Sequence, residues 1–155
     1  MKRLTCVLVM VLGVVALATT PVVADNEVGT VTGATAGLFA GSAVLAGVSL
    51  DGLEVGTGVF ISSDGSATGE FHAVLLGSSA LGRQIVVEGK VSTGAVALGG
   101  QASFGGTATV DLGDGTAPLP GVPFSVAATA DSLVLVLDAI NLPAALLTEG
   151  AITIE

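Results

Sequence analysis

The chain has 155 residues, 51% apolar and 11% charged, with 13 acidic residues against four basic ones and a formal net charge of −9. That length suits one domain around one core, and high apolar content with low charge excludes an intrinsically disordered chain. Two of the four cations, Lys2 and Arg3, stand at the very start. The rest is too acidic to displace the counterions of nucleic acid or to settle on anionic lipid, so no nucleic-acid partner is expected.

Residues 1–24 read as a secretory signal peptide. Lys2 and Arg3 give a positive start, residues 4–18 form an apolar run, and Thr19-Thr20-Pro21 breaks any helix. Val22 and Ala24 then place small residues at −3 and −1 of a cleavage site before Asp25. The apolar run is shorter than the roughly 20 residues a membrane helix needs. Cys6, the only cysteine, lies near the start of this segment and away from the cleavage site, so lipidation is not expected. Residues 25–155 remain as one cysteine-free domain that is not an integral membrane protein once processed. Small exported domains of animals usually lean on disulfides, so this one reads as bacterial and secreted, extracellular or periplasmic.

Beyond residue 27 the hydrophobic pattern has period two. Phe71, Ala73 and Leu75 alternate with Glu70, His72 and Val74; Ile85, Val87 and Val91 oppose Val86, Glu88 and Lys90; Ala108, Val110 and Leu112 alternate with Thr107, Thr109 and Asp111. Such alternation marks half-buried antiparallel strands. In chain order the pattern predicts strands near 28–38, 42–50, 53–61, 67–77, 83–92, 94–104, 105–112, 122–130, 132–139 and 148–154. Turns are expected at Asp51-Gly52, Asp64-Gly65, Asp114-Gly115, Pro120-Gly121 and Asp131-Ser132. A helical turn fits only in "INLPAALLTEG", with Pro143 as its first residue. The expected fold is all-β: a single antiparallel meander of about nine or ten strands closing as a β-barrel, with a β-sandwich as the alternative. A membrane barrel is disfavoured because five phenylalanines are the only aromatic residues, too few for the girdles at its interfaces.

The candidate chemistry is sparse. "GRQIVVEGKVS" (residues 82–92) carries Arg83, Lys90 and a Gly-Lys pair, but Gln84 stands where a phosphate loop needs its first glycine and Val91 where it needs Ser or Thr. An ordinary strand is the better reading. His72, the only histidine, shares its expected face with Glu70 and has no Gly-x-Ser-x-Gly elbow to serve, so a solvated outer pair is expected. One histidine without cysteine cannot build a zinc site. Asp64, Asp111 and Asp114 suit calcium by ligand type but match no loop spacing, and turn aspartates commonly cap their own backbone. Glu70 and Glu88 could face each other as glycosidase carboxylates do, although no tryptophan or tyrosine is present to stack a sugar. No catalytic, cofactor-binding or metal-binding residue is therefore assigned, and no cofactor is expected. Residues 133–137 are apolar on both faces, so both sides of that strand need cover, from the interior and from the loop after Asn141, or else from a partner.

The run "GVFISSDGSATGEFHAVLLG", followed by "IVVEGKVS", "GTATVDLGDGT" and "GVPFSV", resembles a loose group of small exported bacterial proteins of unassigned function, over about residues 53–154. The resemblance implies an all-β fold and brings no activity or catalytic residues. The expected function is a non-enzymatic binding or structural module of unknown partner. Its alternatives are a carrier holding a small apolar ligand in the barrel and, further off, a hydrolase; self-association or an apolar ligand are the partners in view.

Overall fold

The computed structural model describes residues 28–79 and 82–155, so the signal-peptide reading of residues 1–24 and the position of Cys6 lie outside the described residues. Nine strands follow in order: β1 (Gly29–Leu45), β2 (Val48–Ile61), β3 (Ser66–Gly77), β4 (Gln84–Ala97), β5 (Gln101–Asp111), β6 (Leu119–Ala128), β7 (Ser132–Leu137), β8 (Ile140–Asn141) and β9 (Ala145–Ile154). β1 to β7 pair consecutively and antiparallel, and β9 pairs with both β7 and β1. One antiparallel sheet therefore runs round in a ring, with β8 paired only to the end of β7. The all-β expectation holds, and with a single sheet there is no two-sheet sandwich. No helix among the described residues is long and apolar enough to cross a membrane.

Several expected turns moved. The first hairpin turns at Ala46-Gly47, both with left-handed φ (49° and 76°), and not at Asp51-Gly52. A turn there sets Leu45 opposite Val48 with both side chains buried. Asp51-Gly52 lies inside β2, where the pairing with β3 is irregular between Leu50 and Gly52. That irregularity shifts the phase so that Leu50 and Leu53, an odd spacing apart, both face inward. Pro120-Gly121 likewise sits within β6: two residues between Leu119 and Val122 face Thr109 alone, which makes a bulge and not a chain reversal. The expected break between 92 and 94 is another irregularity, inside β4, whose hairpin with β5 turns at Gly99-Gly100. The helical turn does not form. The Leu142 N–H donates to the Leu135 carbonyl at 3.0 Å, holding the returning chain on β7, and Pro143, which has no N–H to give, falls in the gap between β8 and β9. The turns at Asp64-Gly65 and Asp114-Gly115 connect strands as expected, and the one expected at Asp131-Ser132 falls one residue earlier, at Ala130-Asp131, with Ser132 already in β7.

Inward positions make one continuous apolar core. Leu53, Ile61, Leu75, Ile85, Val87, Leu133 and Leu135 are almost wholly buried within it. At its centre Phe71 stacks on Phe124 (centroids 5.4 Å apart, planes 16°) and meets Phe104 edge-on at 5.8 Å. Both are favoured aromatic geometries. Gly89, opposite Phe71 on β4, makes the room: a Cβ there would lie 2.7 Å from two ring carbons of Phe124.

Candidate functional site

Charge divides the outside of the ring. Every charged strand residue except Glu149 lies on β2 to β5: Asp51, Glu54, Glu70, Glu88, Lys90 and Asp111. β1, β6, β7 and β8 contain none.

On the charged wall the register brings four of the singled-out residues together. Glu70 on β3 faces Lys90 on β4, and His72 faces Glu88. On its other side His72 faces Gly56 of β2, an outward glycine with open space above it. His72 thus borders two open depressions, of about 540 Å³ toward Glu70 and Glu88 and about 500 Å³ toward Glu54 and Glu149. Lys90 and Phe71 in the first, Val55 and Val74 in the second, and threonines, alanines and glycines in both complete these linings, and among the described residues no serine or cysteine lines either. Among the described residues no three His, Cys, Asp or Glu side chains converge as a metal would require. Glu70 and Glu88 sit on adjacent strands of one exposed surface, one step out of direct register, and both line the first of these depressions.

The stretch with the cations is strand, and its parts have structural duties. Gly89 is buried under Phe124, so it does not present amides to an anion. Arg83 precedes β4, donates from Nε to the Leu112 carbonyl at 2.9 Å and pairs with Asp114 at 3.1 Å. It is the one ion pair among the described residues, and it ties the start of β4 to the β5–β6 connection.

The aspartates of the turns are turned on themselves. Asp64 Oδ1 accepts from the Ser66 N–H (2.9 Å) and hydroxyl (2.6 Å), and Asp114 Oδ1 accepts the same two bonds from Thr116. Asp111 Oδ1 accepts from the Gly113 N–H at 2.9 Å. The Ser66 hydroxyl, then its N–H, holds the Asp64 carboxyl below its ordinary value. Thr116 does the same for Asp114, with Arg83 adding a smaller pull. Asp64 lies between β2 and β3, while Asp111 ends β5 and Asp114 follows it, at opposite ends of the ring, so the three do not form a common site.

The two-faced apolar strand is β7. Leu133, Leu135 and Leu137 fill the interior, while Val134 and Val136 stand half-buried on the outside. The loop after Asn141 does not cover them, because Leu142 turns inward and joins the core. Instead they edge an open trough of about 680 Å³. Its floor is low because the residues across β6 and β5 are short: Ser125 and Gly105 lie beside Val136, Ala127 and Ser103 beside Val134. Among the described residues none that is charged lines the trough or the smaller depression that continues it toward Ala95 and Ala97. On the next pairing, Leu146 of β9 and Leu38 of β1 stand opposite each other, 55% and 57% exposed. Sequence reasoning found the two-faced strand but not the trough, which depends on which strands become neighbours. The one signal in the sequence was the run 115–130, uncharged and rich in small residues.

No protein-family model matches the chain, and no curated protein or solved structure does either.

Proposed function

We propose that this chain is an exported, non-enzymatic binding or structural module whose ring closes as a β-barrel and whose partner meets the outer wall. The observation that carries the reading is the filled interior. Phe71 is 1% exposed and clasped between Phe104 and Phe124, with Leu53, Leu75, Ile85, Leu133 and Leu135 packed around the ring's axis. A carrier needs a cavity of a few hundred cubic ångströms lined by apolar groups, and here apolar side chains occupy that place.

The register supports a barrel. Partner by partner, Val31 leads through Val59, Gly69, Val91, Gly106 and Phe124 to Leu137. The β7–β9 and β9–β1 pairings return that row to β1 about twelve residues beyond its start, the fixed stagger that closure imposes on tilted strands. Eight strands enclose an interior that side chains alone can fill. Against an enzyme, His72 is exposed, and its cross-strand neighbours, Glu88 and Gly56, offer no nucleophile for it to activate. Export rests on the layout of residues 1–24, and exclusion of nucleic acid on the 13 carboxylates.

Native mass spectrometry of the protein as its host processes it is the test. The reading expects the mass of residues 25–155, with no stoichiometric small molecule attached. A retained apolar ligand would replace it with the carrier, and a chain beginning at Met1 would remove export by cleavage.

A further inference from the structure

We infer that the uncharged wall is where two copies of this chain pair, face to face about a two-fold axis. The inference rests on the reading of the protein as a binding or structural module and names its partner. Each processed copy carries 13 acidic residues against two basic ones, Arg83 and Lys90, so random encounters bring carboxylates together. Like charges set opposite each other across an interface cost several kcal/mol. The outer faces of β6 and β7 are the region where that cost vanishes, since neither strand contains a charge. Asp131 and Asp138 flank β7 and Glu149 lies on β9, with Asp131 beside the Leu146 projection, its carbonyl accepting from the Leu147 N–H.

Shape agrees with charge. A two-fold interface must be self-complementary, with each patch meeting the same patch on the other copy. This wall has a hollow and a projection side by side: the trough floored by Ser103, Ser125 and Ala127, and the exposed Leu38–Leu146 pair. Turned over on itself, the wall sets the leucines of each copy toward the trough of the other. Short side chains on β5 and β6 also let the two sheets approach closely, as packed sheets do at about 10 Å. The charged wall has no such pairing, because Glu54, Glu70 and Glu88 there would face their own copies.

Sedimentation velocity on the purified, host-processed protein tests this across about 1 to 100 μM. The expected result is a dimer whose association strengthens several-fold as salt rises from about 50 to 500 mM, because screening relieves repulsion between acidic copies joined by an uncharged face. Ser125→Glu and Leu146→Glu, both at exposed positions, each weaken association at least tenfold with an unchanged far-ultraviolet strand spectrum. Thr68→Glu, exposed on the charged wall, leaves it unchanged. A monomer at about 100 μM, a dimer that loosens with salt, a Ser125→Glu variant that pairs as the parent does, or a Thr68→Glu variant that dissociates would each overturn the inference. A ligand-free monomer removes only the dimer; a bound apolar ligand in the mass spectrum removes the module reading itself.

Discussion

Gly89 is the position at which the packing account is most exposed to refutation. Substituting alanine puts a carbon 2.7 Å from Cε1 and Cζ of Phe124, whereas nonbonded carbons settle at about 3.5–4.0 Å. The ring must retreat by about 1 Å, and it has nowhere to go: Phe124 is 5% exposed and stacked on Phe71, which is itself wedged against Phe104. Overpacking of this kind costs about 1–3 kcal/mol. Alanine is better suited than glycine to a strand interior by about 0.5–1 kcal/mol, which offsets part of it. Gly89→Ala should therefore lose about 1–2 kcal/mol in guanidinium denaturation, or about 4–7 °C in melting temperature for a domain of this size. Gly58→Ala is the matched control, since its added carbon meets nothing within 4 Å; stability there should hold or rise by about 0.5 kcal/mol. Adding Phe124→Leu to Gly89→Ala should relieve the clash, so the double variant loses less than the two single losses together. If Gly89→Ala is as stable as the parent, the packing described for the centre of the ring is wrong.

The Thr57 hydroxyl is buried and has no hydrogen-bond partner among the described residues, so Thr57→Val, close to it in shape, should raise stability by about 1 kcal/mol in the same denaturation assay. A loss would mean the hydroxyl is satisfied. The Asp64 and Asp114 carboxyls are held below their ordinary value of 3.8 in the folded chain. Their contribution is therefore complete above the unfolded value and is lost as pH falls through the folded one, below about pH 4. An Asp64→Asn, Asp114→Asn double variant should show a flatter stability–pH curve than the parent in that range; parallel curves would assign acid sensitivity to other groups.

Period-two alternation made the all-β class legible, and it placed Phe71, Ala73, Leu75, Ile85, Val87 and Val91 on the buried side. It failed where the chain slips phase. A bulge at Asp51-Gly52 and a turn at Asp51-Gly52 use the same residues, and only the burial of Leu45 against Val48 from two strands decides between them. Pro143 reads locally as a helix start, yet the Leu142–Leu135 hydrogen bond, a tertiary contact, keeps the segment extended. The charged wall was partly readable, because Glu70 with His72 and Glu88 with Lys90 follow from alternation within single strands. The trough was not, because Ser103, Ser125 and Val134 become neighbours only through the register of β5, β6 and β7.

The central claim is that the ring is full, leaving recognition to its outer wall, and xenon-binding NMR on the folded protein tests it most directly, since xenon enters dry apolar cavities. The account predicts no saturable xenon site and no shift of the methyl signals of Leu53, Leu75 and Leu135. Saturable binding that moves those interior methyls would show a cavity where packed side chains are described, and would contradict it.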